Sequence, residues 1–295
     1  MLLAVAIALA LSHPDYLPLA PLMLAAGLAL VSFLDDRAHL PVALRLVVHI
    51  IAAALFVLTW QIPDPGALNG MSDAAQRGLP SPYATVAAVV AICWMTNLFN
   101  FMDGADGMAG GMALIGFGGY AIAATMMPVQ DLATAAVAAA VSGAALGFLC
   151  FNFPAARVFM GDTGSVPVGF LAAAIGIQGS LAGLWQWWFG VLVFSPFIVD
   201  ASVTLLKRLL RHERIWVAHR EHYYQQLILS GWSHRKTVFS YYLLMLGSTE
   251  SALIAQNSLL LYPIVIFWVI TYALLLLYLE WRFYQHKKDK TEDIL

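Results

Sequence analysis

Residues 97–107 read Asn97-Leu98-Phe99-Asn100-Phe101-Met102-Asp103-Gly104-Ala105-Asp106-Gly107, and they stand between two apolar runs, 83–99 and 108–127. Carboxylates and carboxamides therefore join two segments of membrane-spanning character. An ionised Asp deep in a bilayer costs roughly 2.5–3.5 kcal/mol on insertion scales, so a pair this close needs water, a partner or a metal. On one unbroken helix, residues spaced by three drift about 60° per step at 3.6 residues per turn. The spacing predicts instead that Asn97 and Asn100 end a helix. Asp103 and Asp106 then share a turn that Gly104 and Gly107 make conformationally accessible.

Outward from that stretch the chain is 61% hydrophobic and only 11% charged, against about 25% charged in soluble domains. This composition excludes a soluble core and predicts an all-α, polytopic integral membrane protein. The apolar runs are 18–34, 41–60, 83–99, 108–127, 132–151, 166–179, 184–206, 237–253 and 259–279. The run 1–11 covers roughly 17 Å of a core about 30 Å thick and cannot cross alone. Counting it as part of a helix gives about ten transmembrane segments. One membrane-embedded domain over 1–295 is expected, with a polar loop at 207–236 and a tail at 280–295. The net charge of −2 says nothing about partners; no nucleic acid is expected among them. Cys93 and Cys150 both lie in apolar runs and support neither a disulfide framework nor a zinc site. No basic segment precedes a cleavage site, so the start does not read as a signal peptide. Gly143-x-x-x-Gly147 and Gly179-x-x-x-Gly183 read as helix-packing surfaces.

Alternate crossings put the segments 35–45, 100–107, 152–164 and 207–236 and the tail on one side. Of the 15 lysines and arginines only Arg77 falls on the other. The positive-inside rule makes the basic side cytoplasmic. Trp60, Tyr83, Trp185, Trp187 and Trp188 fall near the opposite interface, as an aromatic belt would.

Asp35, Asp36, Asp103, Asp106 and Asp162 all fall at helix ends on the basic side. Any one of them reads most simply as a solvated loop residue or a cap. Adjacent Asp35 and Asp36, directly after an apolar run, are better explained by a cation, and magnesium takes one or two carboxylates plus substrate phosphates. Asp162 lies in Phe159-Met160-Gly161-Asp162-Thr163-Gly164-Ser165, where small neighbours let backbone approach phosphate oxygens. The last polar loop carries His219-Arg220-Glu221-His222. Three readings stand there: a pair of zinc ligands with no third nearby, an amphipathic surface helix, or a cationic clamp in which Arg208, Arg211 and Arg214 grip an anionic substrate. Asp200, in an apolar run after Pro196, is either structural or orients the site. His49 reads as a packed or interfacial histidine.

Taken together, Phe33-Leu34-Asp35-Asp36, Asn97-x-x-Asn100-x-x-Asp103-Gly104-x-Asp106-Gly107, Phe159-Met160-Gly161-Asp162-x-Gly164-Ser165 and the histidine loop resemble the polyprenyl-phosphate N-acetylhexosamine-1-phosphate transferases. The resemblance covers the chain from about residue 18 onward, and the loop His219-Arg220-x-His222-x-Tyr224-Gln225 looks closest to the O-antigen-initiating branch. It implies that Asp162, with Asn100, holds Mg2+, or Mn2+ in its place. Asp35 and Asp36 would be catalytic, serving the lipid phosphate and the reaction centre. Asp106 and Phe159 would contact uracil. Asn97, Asp103, Asn152, His219, Arg220 and His222 would line the diphosphate and sugar. The implied partners are a UDP-N-acetylhexosamine and a polyprenyl phosphate, in the bacterial inner membrane, with a homodimer as a further arrangement. Family members also carry a helix and a Pro-x-Pro-Arg-Gly-Gly-like loop ahead of the first matching helix, so the resemblance implies either a truncated chain or a mis-assigned start here.

The expected reaction is attack of the lipid phosphate on the sugar-linked phosphorus, with UMP leaving. A secondary transporter would place its ionisable residues near the midplane rather than at one face. A membrane phosphatase or intramembrane protease lacks an evident nucleophile here, although paired aspartates suit the latter. An inactive truncated homologue acting through a partner is the remaining alternative.

Overall fold

The structure is a computed structural model that describes residues 2, 4–7, 19–38, 40–59, 81–126, 130–214, 216–217, 219–256 and 258–292. Trp60, the stretch 61–80 with Arg77, and Pro128 lie outside the described residues. The described chain is helical throughout, with no strand among its elements. In chain order the helices are α1 (Leu19–Ala38), α2 (Val42–Leu58), α3 (Pro82–Phe101), α4 (Met108–Met126), α5 (Leu132–Asn152) and α6 (Gly161–Leu181). There follow α7 (Trp188–Val193), α8 (Ser195–Leu210), α9 (Tyr223–Leu229), α10 (His234–Ala255) and α11 (Leu261–Glu292). Among the described residues 6 helices are long and apolar enough to cross a membrane: α3, α4, α5, α6, α10 and the part of α11 up to His286. At 17 residues α2 is apolar but shorter.

Local chemistry sets several of these boundaries. Ser81 caps α3 by accepting the Ala84 N–H at 3.2 Å. Asp131 caps α5 by accepting those of Ala133 and Thr134 at 2.9 and 3.0 Å. Each such cap is worth about 1 kcal/mol. The run 184–206, expected as one span, is divided between α7, of 6 residues, and α8, of 16. The division falls at Phe194, whose φ of −94° and ψ of 10° depart from the helix. Pro196 lacks an N–H and so sits without penalty in the first turn of the new helix. Ser195 Oγ donates to the Leu192 carbonyl at 2.7 Å across the break.

Helix α6 packs against α3 and α1, α3 also against α2, and α4 against α5 and α10. Gly169 on α6 permits a close approach to α3, since a Cβ there would strike the Met95 carbonyl. At the centre, Phe99 meets Phe194 and Phe197 at ring distances of 5.7 and 5.3 Å, and Phe117 meets Phe194 at 6.0 Å. Trp185 corrects the aromatic-belt expectation. Its ring is 3% exposed, stacks on Tyr120 at 5.0 Å, and donates its indole N–H to the Gly176 carbonyl at 2.9 Å. Its polar atom is satisfied inside the bundle, so it has no need of the interface. Trp187 is exposed, as a belt residue would be. The two small-residue pairs part company. Gly179 backs onto the Trp185 ring, while a Cβ at Gly143 or Gly147 would meet nothing within 4 Å.

Candidate active site

The turn after α3 follows the predicted division of labour. Asn97 and Asn100 occupy the last turns of α3, and Asp103 and Asp106 lie beyond its end. Gly107 has φ +81°, which a side chain would strain. The turn is held by its backbone. The Tyr224 hydroxyl donates to the Phe101 carbonyl at 3.0 Å and the Tyr242 hydroxyl to the Gly107 carbonyl at 2.8 Å. Asn152 Oδ1 accepts the Gly107 N–H at 2.8 Å. Gly104 leaves room for Tyr224, because a Cβ there would collide with the phenol oxygen.

On this frame the carboxylates converge. Asn100 Nδ2 donates to Asp162 Oδ1 at 2.6 Å and to Ser165 Oγ at 3.2 Å. Arg45, near the start of α2, places Nη1 2.9 Å from Asp35 Oδ2 and 3.6 Å from Asp162 Oδ2. The other Asp35 oxygen accepts the Leu40 N–H at 2.7 Å. Asp36 accepts from the Thr163 hydroxyl at 3.1 Å, which ties α1 to the first turn of α6. Asp103 accepts the Gly161 N–H, yet its pKa is pushed up to about 7, chiefly by burial and further by the charge of Asp162. Like charges forced together favour protonation of one of them or a cation between them.

That observation tests the expected metal. Asp162 and Asp103 offer hard carboxylate oxygens, with the Asn100 amide nitrogen hydrogen-bonded to Asp162, and one or two carboxylates suit a magnesium ion whose remaining positions go to water and phosphate. The residues fit such an ion. Among the described residues no three His, Cys, Asp or Glu side chains gather as a closed cage.

The remaining expected residues fall into three places. Asp106 Oδ2 accepts the Ala156 N–H at 3.0 Å and so pins the 153–160 loop, on which Phe159 stands 74% exposed. Asn152 is 3% exposed, and its Nδ2 also donates to the Val158 carbonyl at 2.8 Å, so both ends of its amide are taken by backbone. Asn97 Nδ2 donates to the Cys93 carbonyl at 2.7 Å and faces His49 Nδ1 at 3.3 Å, turned towards α2 rather than towards Asp162. The histidine loop docks on the end of α3, where the His222 ring stacks on Phe101 at 5.9 Å with the His219 ring 4.9 Å away. Burial, then the neighbouring His222 and Arg208, hold His219 down to about 4. Arg220 is exposed on the same loop.

Two of the three arginines of the expected clamp, Arg208 and Arg211, are already paired with carboxylates. Arg208 and Arg211 both bind Glu221, and Arg208 also reaches Glu213 at 3.3 Å. Their charge is spent within the loop, because each guanidinium already has a carboxylate in reach. Sequence reasoning missed Arg45 as a site residue. A lone cation within an apolar run is itself a functional signal, and it was there to be read.

A helical membrane protein with an oxygen-rich cluster of Asp, Asn and Arg at the ends of α1, α2, α3 and α6 belongs to a narrow class. The chain is a member of glycosyl transferase family 4, whose family model matches residues 18–180. It is 28% identical over 237 residues to the probable undecaprenyl-phosphate N-acetylglucosaminyl 1-phosphate transferase of Bacillus subtilis (strain 168), covering 77% of this chain and 63% of that one. It is 30% identical over 237 residues to the phospho-N-acetylmuramoyl-pentapeptide-transferase of Halalkalibacterium halodurans, covering 75% of this chain and 69% of that one. With the corresponding transferase of Bacillus pumilus it shares 38% identity over 147 residues, covering 44% of that chain. The chain thus spans between 44% and 69% of the length of these relatives.

Proposed function

We propose that the chain transfers N-acetylhexosamine 1-phosphate from a UDP-sugar to a polyprenyl phosphate, releasing UMP, with magnesium, at the cytoplasmic face of a bacterial inner membrane. The meeting of Arg45, Asp35, Asn100 and Asp162 within the family-matched region carries this reading. The preference for N-acetylglucosamine and an O-antigen type of pathway over the pentapeptide substrate rests on the resemblance of the loop His219-Arg220-x-His222-x-Tyr224-Gln225 to the O-antigen-initiating branch.

A non-bridging oxygen of the lipid phosphate attacks the phosphorus bonded to the sugar. The bond from that phosphorus to the oxygen shared with the uridine-side phosphate breaks, and UMP leaves with that oxygen. A phosphate monoester has a second pKa near 6, so the nucleophile is largely dianionic at neutral pH and needs no strong base. Asp35, occupied by Arg45 and the Leu40 N–H, positions rather than abstracts. Arg45 is placed to offer its fork to phosphate oxygens. Asp162, with Asn100 and Asp103, would hold magnesium, which supplies charge neutralisation for the diphosphate and its leaving phosphate. Phe159 presents an exposed ring for the base.

The test is UMP release by the purified chain with undecaprenyl phosphate and magnesium, offered UDP-N-acetylglucosamine or UDP-N-acetylmuramoyl-pentapeptide. Lipid-linked N-acetylglucosamine 1-phosphate is the expected product. Turnover of the pentapeptide substrate alone moves the chain to the other branch, and no UMP from either defeats the reading.

A further inference from the structure

Asp200 is 3% exposed in the middle of α8, and it lies outside every motif described above. A carboxylate so placed is costly unless its oxygens are satisfied. Here they are. Oδ1 accepts the Tyr223 N–H at 2.9 Å and lies 3.4 Å from the Thr204 hydroxyl and from His222 Nδ1. Oδ2 accepts the Tyr224 N–H at 3.1 Å and the Tyr241 hydroxyl. Tyr223 and Tyr224 open α9, so Asp200 caps that helix from outside the loop, where its positive dipole end favours a carboxylate.

The same carboxylate faces one edge of a single imidazole. His222 is 3% exposed, and its buried Nδ1 makes no hydrogen bond; the carboxylate it faces is Asp200, whose Oδ1 lies 3.4 Å away. Its ring plane is fixed between Phe101 and Tyr224, at 5.9 and 6.1 Å. The hydrogen bond made by one ring nitrogen decides what the other nitrogen offers. We propose that Asp200 is a positioning residue that holds the Nδ1 edge of His222 and thereby presents its Nε2 edge to the sugar diphosphate. This role rests on the transferase reading above. Asp200 touches no substrate and acts through His222.

Two measurements on the full chain decide it. The first is the 15N imidazole spectrum of His222 in detergent micelles, which needs no substrate. Protonated Nδ1 in the wild type, lost in Asp200→Asn and kept in Tyr241→Phe, is the expected result. A neutral His222 protonated on Nε2 in the wild type overturns the proposal even if Asp200→Asn does not fold. The second is a double-mutant cycle on UMP release. Asp200→Asn alone should lower kcat by about 10–100-fold with little change in KM, as loss of a group orienting a working histidine does. In a His222→Asn background it should cost nothing further. An undiminished loss in that background would assign Asp200 to helix capping alone and overturn the proposal. A wild-type chain releasing no UMP would instead defeat the transferase reading, and the spectrum would still decide the Asp200–His222 pairing.

Discussion

Asn100 and Asp162, 62 positions apart in the chain, meet at 2.6 Å and join the end of α3 to the first turn of α6. This contact sits on the helix pair whose close approach Gly169 permits, so the spacing of two helices sets the spacing of the two side chains. Asp162→Asn should therefore keep the fold and remove the anionic ligand. UMP release should fall by at least about a hundredfold, which is roughly 3 kcal/mol of transition-state stabilisation. Turnover near that of the wild type would contradict the assignment.

Arg45 neutralises Asp35 and approaches Asp162. Arg45→Met leaves a carboxylate that is 7% exposed without its cation. Stability should drop by about 1–3 kcal/mol, seen as a lower melting temperature, and UMP release should fall with it. Arg45→Lys should recover part of the stability but less of the rate, because a point charge replaces a fork.

Asn152 was expected to line the diphosphate, yet its amide is used on Gly107 and Val158. Asn152→Ala should orphan a buried N–H and a carbonyl and cost about 1–3 kcal/mol for each group that water cannot reach. A lowered melting temperature, accompanied by a raised KM for the UDP-sugar as the 153–160 loop loosens, is the expected pair of readings.

Gly104→Ala should push Tyr224 out of its place over the turn. Overpacking of this kind costs about 1–3 kcal/mol. Much of the loss should vanish in a Tyr224→Phe background, where the colliding oxygen is gone, and comparison of the melting temperatures checks it.

His219 is held down to about 4 in the fold, against 6.5 for the free side chain. Between those values the unfolded chain binds more protons than the folded one. Stability contributed at this position is therefore complete above pH 6.5 and is lost as pH falls towards 4. His219→Gln should flatten that part of the stability profile. Imidazole shifts of His219 should show no titration between pH 5.5 and 8.

The sequence made the helices and the turn legible because bilayer burial requires long apolar runs, and polar residues interrupt them only where the chain leaves or does work. The Asn97–Gly107 turn was readable for that reason. The division at Phe194 was not, since 184–206 is apolar on both sides of it and Pro196 alone gives two outcomes. The burial of Trp185 depended on Tyr120 and Gly176, whose positions no local pattern reveals. Arg45 and Asp200 were visible as charges in apolar surroundings. Their meaning lay in partners on other helices, which only the packed bundle brings within reach.

The Asn97–Gly107 turn is gripped through main-chain groups of Phe101 and Gly107, by side chains from α5, α9 and α10. A grip on the main chain fixes the path of the turn without using the Asp103 side chain. The path of the turn therefore does not hang on the side chain at 103, whereas Asp106, which holds the Ala156 N–H, and Gly104, which leaves room for Tyr224, belong to the frame itself.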